Sequence, residues 1–301
     1  MPLFEDASGL LFEYLVGADD ETEFLWEEIF TRRSYMQHGI QVPTGNSAVV
    51  VDVGANIGLF SLAVLQENAE ATIHAIEPFG RAFSCLERNL AAAPRARCHE
   101  LLMRDRAGDG LLHCFHDAPA EATMHPRERE GQRQRLSIVA KAAAVTCKDA
   151  RNDTSSRGSG SSRGGGDSAE PPPQARAEVV RVRATTLSAF LHEHGLSRVD
   201  LLKVDVEGDE LRVLLGVGSA DWPSIQQVVM EVHDINGRLD ACIHLLRRHG
   251  FRVTARASEG GVEKGYAMVI PSSLRLFYVY AVRGASQDGA TEPAKGRKRK
   301  R

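Results

Sequence analysis

The stretch VVVDVGANIGLFS at residues 49–61 decides the fold of this chain. Its four valines leave almost no polar face, which is typical of a strand buried on both sides in a parallel sheet. The run breaks at Gly54 into a turn, and an amphipathic segment begins directly afterwards at residues 59–66. A buried strand, a tight loop and a helix N-terminus in this order favour a site for a nucleotide-like ligand.

The chemistry of the loop indicates which nucleotide-like ligand fits. Gly54 and Gly58 are spaced as G-x-x-x-G, not as the G-x-G-x-x-G of dinucleotide-binding loops. Because neither residue has a Cβ, both let the backbone approach a ligand closely. Asp52 at the end of the strand would repel a diphosphate, so a ligand with a cationic or hydroxylated group is favoured. We therefore expect S-adenosylmethionine (SAM).

Strands and helices alternate along most of the chain. Strands are predicted at residues 49–53, 72–77, 97–102, 199–204, 227–232, 251–254 and 276–282. Helices are predicted at residues 59–67, 81–92, 186–194, 209–215 and 238–249, and an aromatic-rich helix at 22–33 is expected to pack on the sheet as a cap. This alternation predicts an α/β fold, a mostly parallel and doubly wound sheet between two layers of helices.

Composition predicts three segments. Residues 1–45 form an N-terminal helical cap segment, and residues 46–284 form one α/β domain. An insertion at about 148–176 interrupts the domain, and we expect it to be disordered because its Ser, Gly and Pro residues cannot repay the entropy of ordering. Residues 285–301 are predicted to be a disordered basic tail.

Charge and cysteine content narrow the class of protein. The formal charge is −3, but residues 295–301 carry six positive charges, which leaves −9 on residues 1–294 and argues against a nucleic-acid-binding surface there. Five scattered cysteines without a C-x-x-C pair, and a start without a signal-peptide pattern, predict a soluble cytoplasmic protein with no metal site and no membrane span. The basic tail fits a nuclear address, a patch for anionic partners or a solubilising end without a role.

Glu77 ends the second predicted strand, 19 residues after Gly58. That position and distance suit a carboxylate that accepts both ribose hydroxyls of an adenosine ligand. The alternative is a solvent-facing acid before the turn at Pro78.

Ionisable residues also follow two later strands. Asp205 and Glu207 come after one strand, and Glu231 and His233 lie at the end of the next. Because consecutive crossover strands deliver their carboxyl ends to the same cleft, we expect these four side chains to converge. His233 is the one member that takes a proton near neutral pH without a special environment. Helix capping by the acids and a purely structural histidine are the alternatives.

Three further charged residues in this region have structural interpretations. Asp209 and Glu210 fit the first turn of the helix predicted at 209–215, where acids complement the helix dipole. Lys203 lies inside an apolar strand, and we expect it to reach a carboxylate or the rim of the sheet.

Three blocks together resemble the FkbM-type SAM-dependent methyltransferase family. VDVGANIGLFS at 51–61 looks like its first motif, DLLKVDVEGDEL at 200–211 like its central motif, and MEVH at 230–233 like its strand-five motif. YMQHGI at 35–40 and ATMHP at 122–126 are similar to its entry segment and mid-domain loop. The resemblance extends over about residues 22–282 apart from the insertion.

The resemblance implies a class I, Rossmann-like methyltransferase fold with a seven-stranded sheet whose last strand is antiparallel. It implies methyl transfer from SAM, typically to a hydroxyl oxygen of a small molecule, sugar or polyketide-like product. It assigns these residues to the cofactor: Asp52, Gly54, Asn56, Gly58, Glu77 and, near the end of the third strand where the family approaches adenine, Asp105. It places these at the transfer site: His233 as the expected base, with Glu207 or Asp205 orienting it.

Two other functions remain open at this point. A nicotinamide-dependent oxidoreductase would also use Glu77 on a ribose, although the missing third glycine counts against it. A catalytically degenerate methyltransferase fold used only for binding is the second alternative, because fold does not guarantee activity.

Overall fold

The structure is a computed structural model that describes residues 2–5, 9–15, 19–115, 118–125, 178–258, 262–263, 266–267 and 275–284. The predicted insertion at 148–176 and the predicted tail at 285–301 lie outside these residues. The division of the chain into segments therefore stays a prediction.

The N-terminal half of the described chain contains β1 (Leu3–Glu5), β2 (Leu11–Glu13), α1 (Asp19–Trp26), a π-helix (Glu27–Thr31), β3 (Val49–Val53), α2 (Leu59–Glu67), β4 (Thr72–Ile76), α3 (Gly80–Asn89), β5 (Ala96–His99), β6 (Leu102–Met103), β7 (Gly108–Phe115) and β8 (Ala118–Thr123). The remainder contains β9 (Glu178–Thr185), α4 (Leu187–Glu193), β10 (Leu201–Val204), α5 (Glu210–Leu215), a 3-10 turn (Trp222–Ser224), β11 (Gln227–His233), α6 (Arg238–Arg248), β12 (Phe251–Ala257), β13 (Val262–Glu263), β14 (Tyr266–Ala267) and β15 (Leu276–Arg283).

The main sheet has seven strands in the order β12-β15-β11-β10-β3-β4-β5. β15 is antiparallel to both of its neighbours, and the other strands run parallel to one another. The strand order reverses between β3 and β10, so the carboxyl ends of β3, β4, β10 and β11 meet where such sheets bind ligands. The predicted doubly wound sheet with an antiparallel last strand is confirmed.

Helices cover both faces of this sheet. Val51 and Leu202 pack in one cluster with side chains of α4, α5 and α6, whereas Val50 and Leu201 pack on the other face with α2 and α3. The uninterrupted apolar run in β3 is explained by this double burial. The three-layer α/β/α arrangement follows.

A second sheet was not expected from the sequence. It has four strands in the order β6-β9-β7-β8. The predicted third strand, 97–102, is wrong at its end, because β5 stops at His99 and Leu102 pairs with Ala184 of β9 instead. A signal for β9 was present, since the buried Val182 and Ala184 alternate with the arginines at 181 and 183.

Two histidines are stacked between neighbouring strands near α4. Nδ1 of His74 on β4 lies 3.1 Å from Nε2 of His99 on β5, and both rings contact Phe190 and His194. Burial first, and then the neighbouring positive charges, lower the pKa of His74 and of His99 to about 4.

These lowered pKa values predict a fold that weakens in acid. Between the ordinary pKa of about 6.5 and the folded pKa of about 4, the unfolded chain binds more protons than the folded chain, so stability falls with falling pH. We expect the Tm to drop between pH 7 and pH 5, and His74→Leu to make this drop smaller. Thermal unfolding at several pH values measures the slope. The exposed His244→Gln keeps the wild-type slope as a control, and an unchanged slope in His74→Leu contradicts the assignment.

Candidate active site

The loop after β3 is held by the protein's own packing. Gly54 has φ +78, Asn56 has φ +49 and Gly58 has φ +95. A Cβ on Gly54 would lie 1.7 Å from the carbonyl oxygen of Asp205, and one on Gly58 would lie 2.8 Å from Cδ1 of Leu86. The backbone after β10 therefore requires Gly54, whereas at Gly58 the positive φ is the stronger constraint because the leucine side chain can move. The predicted approach of both glycines to a ligand stays a prediction.

Glu77 joins this loop to the end of β4. Its Oε2 accepts a hydrogen bond from Asn56 N at 2.9 Å, and its Oε1 accepts one from Phe79 N at 2.8 Å. Burial raises the pKa of Glu77 to about 7, although the two backbone donors lower it. Each carboxylate oxygen keeps a second lone pair, so the side chain has the acceptor capacity that two ribose hydroxyls need.

Lys203 lies beneath the loop and connects β10 to β3. Its Nζ donates to the carbonyl oxygen of Gly54 at 2.7 Å and lies 3.3 Å from Oδ1 of Asp52 and 3.4 Å from Oδ2 of Asp205. Asp52 is fully buried, and Ser61 donates to its Oδ2 at 2.8 Å. The prediction that Lys203 reaches a carboxylate is confirmed. Asp52 stabilises the loop through Lys203, which contacts both Asp52 and Gly54. The predicted contact of Asp52 with a cofactor stays a prediction.

The charge on Lys203 is stable despite burial. Burial lowers the pKa of Lys203, but Asp52 and Asp205 raise it by more, so it lies above its usual value. The ammonium group thus stays charged, and its two carboxylates are compensated.

The structure brings the three predicted transfer-site residues together at the ends of β10 and β11. Tyr35 donates its hydroxyl to Oδ2 of Asp205 at 2.9 Å. Glu207, with φ +51, places Oε2 3.4 Å from Nε2 of His233. Nδ1 of the buried His233 lies 3.5 Å from Oε1 of Glu210.

The acids at the start of α5 do more than complement the helix dipole. Asp209 and Glu210 occupy the N-cap and the first helical position as expected, but both are buried, and Asp209 makes no capping hydrogen bond. Oδ1 of Asp209 lies 2.6 Å from Nε2 of His125, and Oε1 of Glu210 accepts from Gly208 N at 2.6 Å. Thr123 Oγ1 donates to the carbonyl oxygen of Glu207 at 2.5 Å. The sequence signal for these contacts was the ATMHP stretch at 122–126.

Asp105 is not where the sequence placed it. We expected it near the end of the third strand of the main sheet, but that strand ends at His99 and Asp105 follows β6 of the second sheet. Its Oδ1 lies 3.5 Å from Nε of Arg104 and 3.4 Å from Nη1 of Arg212. The structure therefore ties Asp105 to α5 through Arg212, and its predicted adenine contact stays a prediction.

The described residues also bear on two other classes of site. No group of three or more His, Cys, Asp and Glu side chains among them has an arrangement that holds a metal ion. None of the helices at residues 19–115 and 178–258 is long and apolar enough to cross a membrane.

The Lys203 contacts generate a prediction on stability. Lys203→Met should lower the free energy of unfolding by about 3–5 kcal/mol, because it leaves Asp52 and Asp205 without a counter-charge. Adding Asp52→Asn should recover part of this loss, since one of the uncompensated charges is then gone. Urea unfolding of the two single variants and the double variant measures the coupling. Strictly additive losses would show that the ammonium and the carboxylate do not interact.

Known proteins identify the family of this chain. Residues 52–253 match the Methyltransferase FkbM domain family. The chain is 37% identical over 236 residues to 31-O-demethyl-FK506 methyltransferase FkbM of Streptomyces tacrolimicus, covering 78% of this chain and 84% of that protein. It is 31% identical over 250 residues to Methyltransferase sdnD of Sordaria araneosa, covering 79% of this chain and 85% of that protein.

Among solved structures, a SAM-dependent O-methyltransferase from Thermotoga maritima matches with a TM-score of 0.42 and 10% identity, covering 94% of this chain and 78% of that one, a distance at which nothing about activity follows. The two named sequence relatives are methyltransferases, so the oxidoreductase alternative has no counterpart in them. This chain belongs to the FkbM methyltransferase family.

Proposed function

We propose that this enzyme transfers the methyl group of SAM to a hydroxyl oxygen of a small molecule, sugar or polyketide-like product. The observation that carries the proposal is the meeting of two half-sites at adjoining strand ends. The loop at 54–58 with Glu77 lies on β3 and β4, and the Glu207–His233 pair lies on β10 and β11. The name of the Streptomyces relative, a 31-O-demethyl-FK506 methyltransferase, supports an oxygen as the acceptor atom.

The residues of the first half-site fit SAM. Glu77 would hold the ribose, with Asn56 N fixing one of its oxygens and Phe79 N the other. Asp205 on the adjacent strand favours a cationic group near the loop. When bound, SAM supplies an activated methyl group, so the protein mainly has to orient the acceptor and remove its proton.

The second half-site provides the proton acceptor. His233 would take the proton of the acceptor hydroxyl, which makes the oxygen a better acceptor for the methyl group that bound SAM would supply. Glu207 and Glu210 lie on opposite sides of the ring, at 3.4 Å from Nε2 and 3.5 Å from Nδ1, and they stabilise the imidazolium that results. Arg238 Nη1 donates to the carbonyl oxygen of His233 at 2.7 Å, which helps to fix the backbone that carries the ring.

Glu77 makes cofactor binding depend on pH. Only the ionised carboxylate accepts from both ribose hydroxyls, and the pKa of about 7 makes its ionised fraction fall as the pH drops below 7. We expect the Kd for SAM to rise by about fivefold between pH 7 and pH 6, and Glu77→Gln to weaken binding and remove this dependence. Calorimetric titration with SAM, with NADH as a control ligand that gives no heat, tests this. Unchanged SAM binding in Glu77→Gln would remove Glu77 from the site.

Substitution of His233 distinguishes an effect on catalysis from an effect on cofactor binding. His233→Ala should lower turnover by about 100-fold or more while the Kd for SAM stays as in the wild type. Glu207→Gln should lower turnover less, because it orients the base rather than replacing it. The assay uses an acceptor found by screening hydroxylated metabolites, with SAM affinity measured in parallel as the test of folding. Wild-type turnover in His233→Ala would exclude His233 as the base.

A further inference from the structure

Four carboxylates gather on one side of the transfer site, and we call them the acidic cluster: Glu28, Asp205, Glu207 and Glu231. Glu28 comes from the π-helix near the N-terminus and is 3% exposed, and Glu231 comes from β11 and is 9% exposed. Glu28 was not recognised from the sequence, because it lies in a stretch that reads as an ordinary amphipathic helix. Its position brings a fourth acid, and a second buried one beside Glu231, to the strand ends.

Three members of the acidic cluster have partners within the protein. Tyr278 donates its hydroxyl to Glu28, and Tyr35 donates its hydroxyl to Asp205 at 2.9 Å. Glu207 faces His233 at 3.4 Å. The rings of Tyr35 and Tyr278 lie edge to face with centroids 5.5 Å apart, so the two tyrosines that donate to these acids also pack against each other.

Glu231 differs from these three. It lies directly opposite Tyr278 in the antiparallel pairing of β11 with β15, and so shares its face of the sheet. In the described part of the chain its carboxylate has no hydrogen bond and no ion pair, although the residue is nine-tenths buried. An isolated buried carboxylate is costly unless something of opposite charge reaches it.

The groups that face Glu231 are mainly acidic. Burial, and then the charges of Asp205, Glu28 and Glu207, raise the pKa of Glu231 well above its usual value, and only Lys203 among its main influences lowers it. Burial and Asp205 likewise raise the pKa of Glu28 to about 8, against Arg32 and Lys203. The ammonium of Lys203 is already shared by Asp52, Asp205 and Gly54, so the protein supplies too little positive charge here.

We propose that Glu231 and the acidic cluster bind a protonated amine of the acceptor molecule. The inference rests on the methyl transfer proposed above and narrows the acceptor to molecules that carry a cationic nitrogen besides the reactive hydroxyl. The amine would supply the charge that Glu231 lacks, and it would place the hydroxyl towards His233, two residues further along the same strand and face. Charge at Glu231 thereby determines specificity, while His233 remains the base.

The strand order indicates that the positive charge bound by Glu231 belongs to the acceptor and not to SAM. β3 and β4 carry the cofactor residues. β11 lies two strands from β3, which is about 10 Å, and three strands from β4, which is about 14 Å. Asp205, on the strand between, is the acid that is close enough to the loop to face the cofactor's own positive charge. Glu231 lies beyond it, under the N-terminal segment.

Calorimetry with a matched pair of probes tests the inference on the full chain saturated with S-adenosylhomocysteine. The probes are 3-aminopropan-1-ol and 1,3-propanediol, which have the same length and a hydroxyl in common and differ in the ammonium group. We expect the amino alcohol to bind and the diol not to bind. Glu231→Gln keeps the size and shape of the side chain and should raise the Kd of the amino alcohol by about tenfold or more. Glu67→Gln, an exposed residue paired with Arg33, is the matched control and should bind as the wild type does.

The Tm of Glu231→Gln shows whether a loss of amine binding is due to misfolding. Because burial and the neighbouring acids hold the pKa of Glu231 well above its usual value, ionisation at neutral pH favours the unfolded chain. Glu231→Gln should therefore raise the Tm of the ligand-free protein while it weakens amine binding. A lower Tm, equal binding of both probes, no binding of either, or unchanged amine binding in Glu231→Gln would each overturn the inference. So would a loss of affinity for SAM but not for S-adenosylhomocysteine, which would assign Glu231 to the sulfonium. Failure of the proposed function is seen separately, as absent SAM binding by the wild type, and the probe titration is then read on the ligand-free protein.

Discussion

A single buried ammonium group holds the two halves of this site together. Lys203 stands in a strand whose other residues are apolar, and its Nζ contacts the ends of two adjacent strands at once, through Asp52 and the Gly54 carbonyl on one side and Asp205 on the other. A lone charge at 4% exposure would not be tolerated. With both carboxylates present, it pins the glycine loop against β10.

The division of labour follows from this junction. On one side, Glu77 and the loop form an acceptor-rich edge on β3 and β4 that suits a nucleoside. On the other, Glu207 and His233 extend from β10 and β11 with Glu231 beside them. The junction lies between β3 and β10, where the order of the strands in the sheet reverses. Ligands bind at this point in sheets of this class. Cofactor and acceptor sites are therefore neighbours by topology.

Local sequence patterns predicted the elements that are determined by short-range contacts. The bounds of β3 and α2 are those read from the sequence, because a valine run and a glycine turn leave little choice. The purpose of Gly54 was not readable, since the atom that excludes a Cβ belongs to Asp205, far along the chain.

Features that depend on distant partners were missed for the same reason. Leu102 and Met103 continue an apolar run and give no sign that they leave the main sheet, so Asp105 was misplaced with them. The burial of Asp209 depends on His125, 84 residues away, and that of Glu28 on Tyr278, 250 residues away. Charged residues read locally as solvated, and only the fold shows that they are interior.

A crystal structure of the full chain with SAM tests the central claim most directly. The ribose hydroxyls should lie on the carboxylate of Glu77, and the sulfonium should lie between the Gly54 loop and Asp205, with Lys203 still bridging the two strands. A cofactor bound elsewhere, or a loop that separates from Asp205 when SAM enters, would contradict the account of one site organised around Lys203.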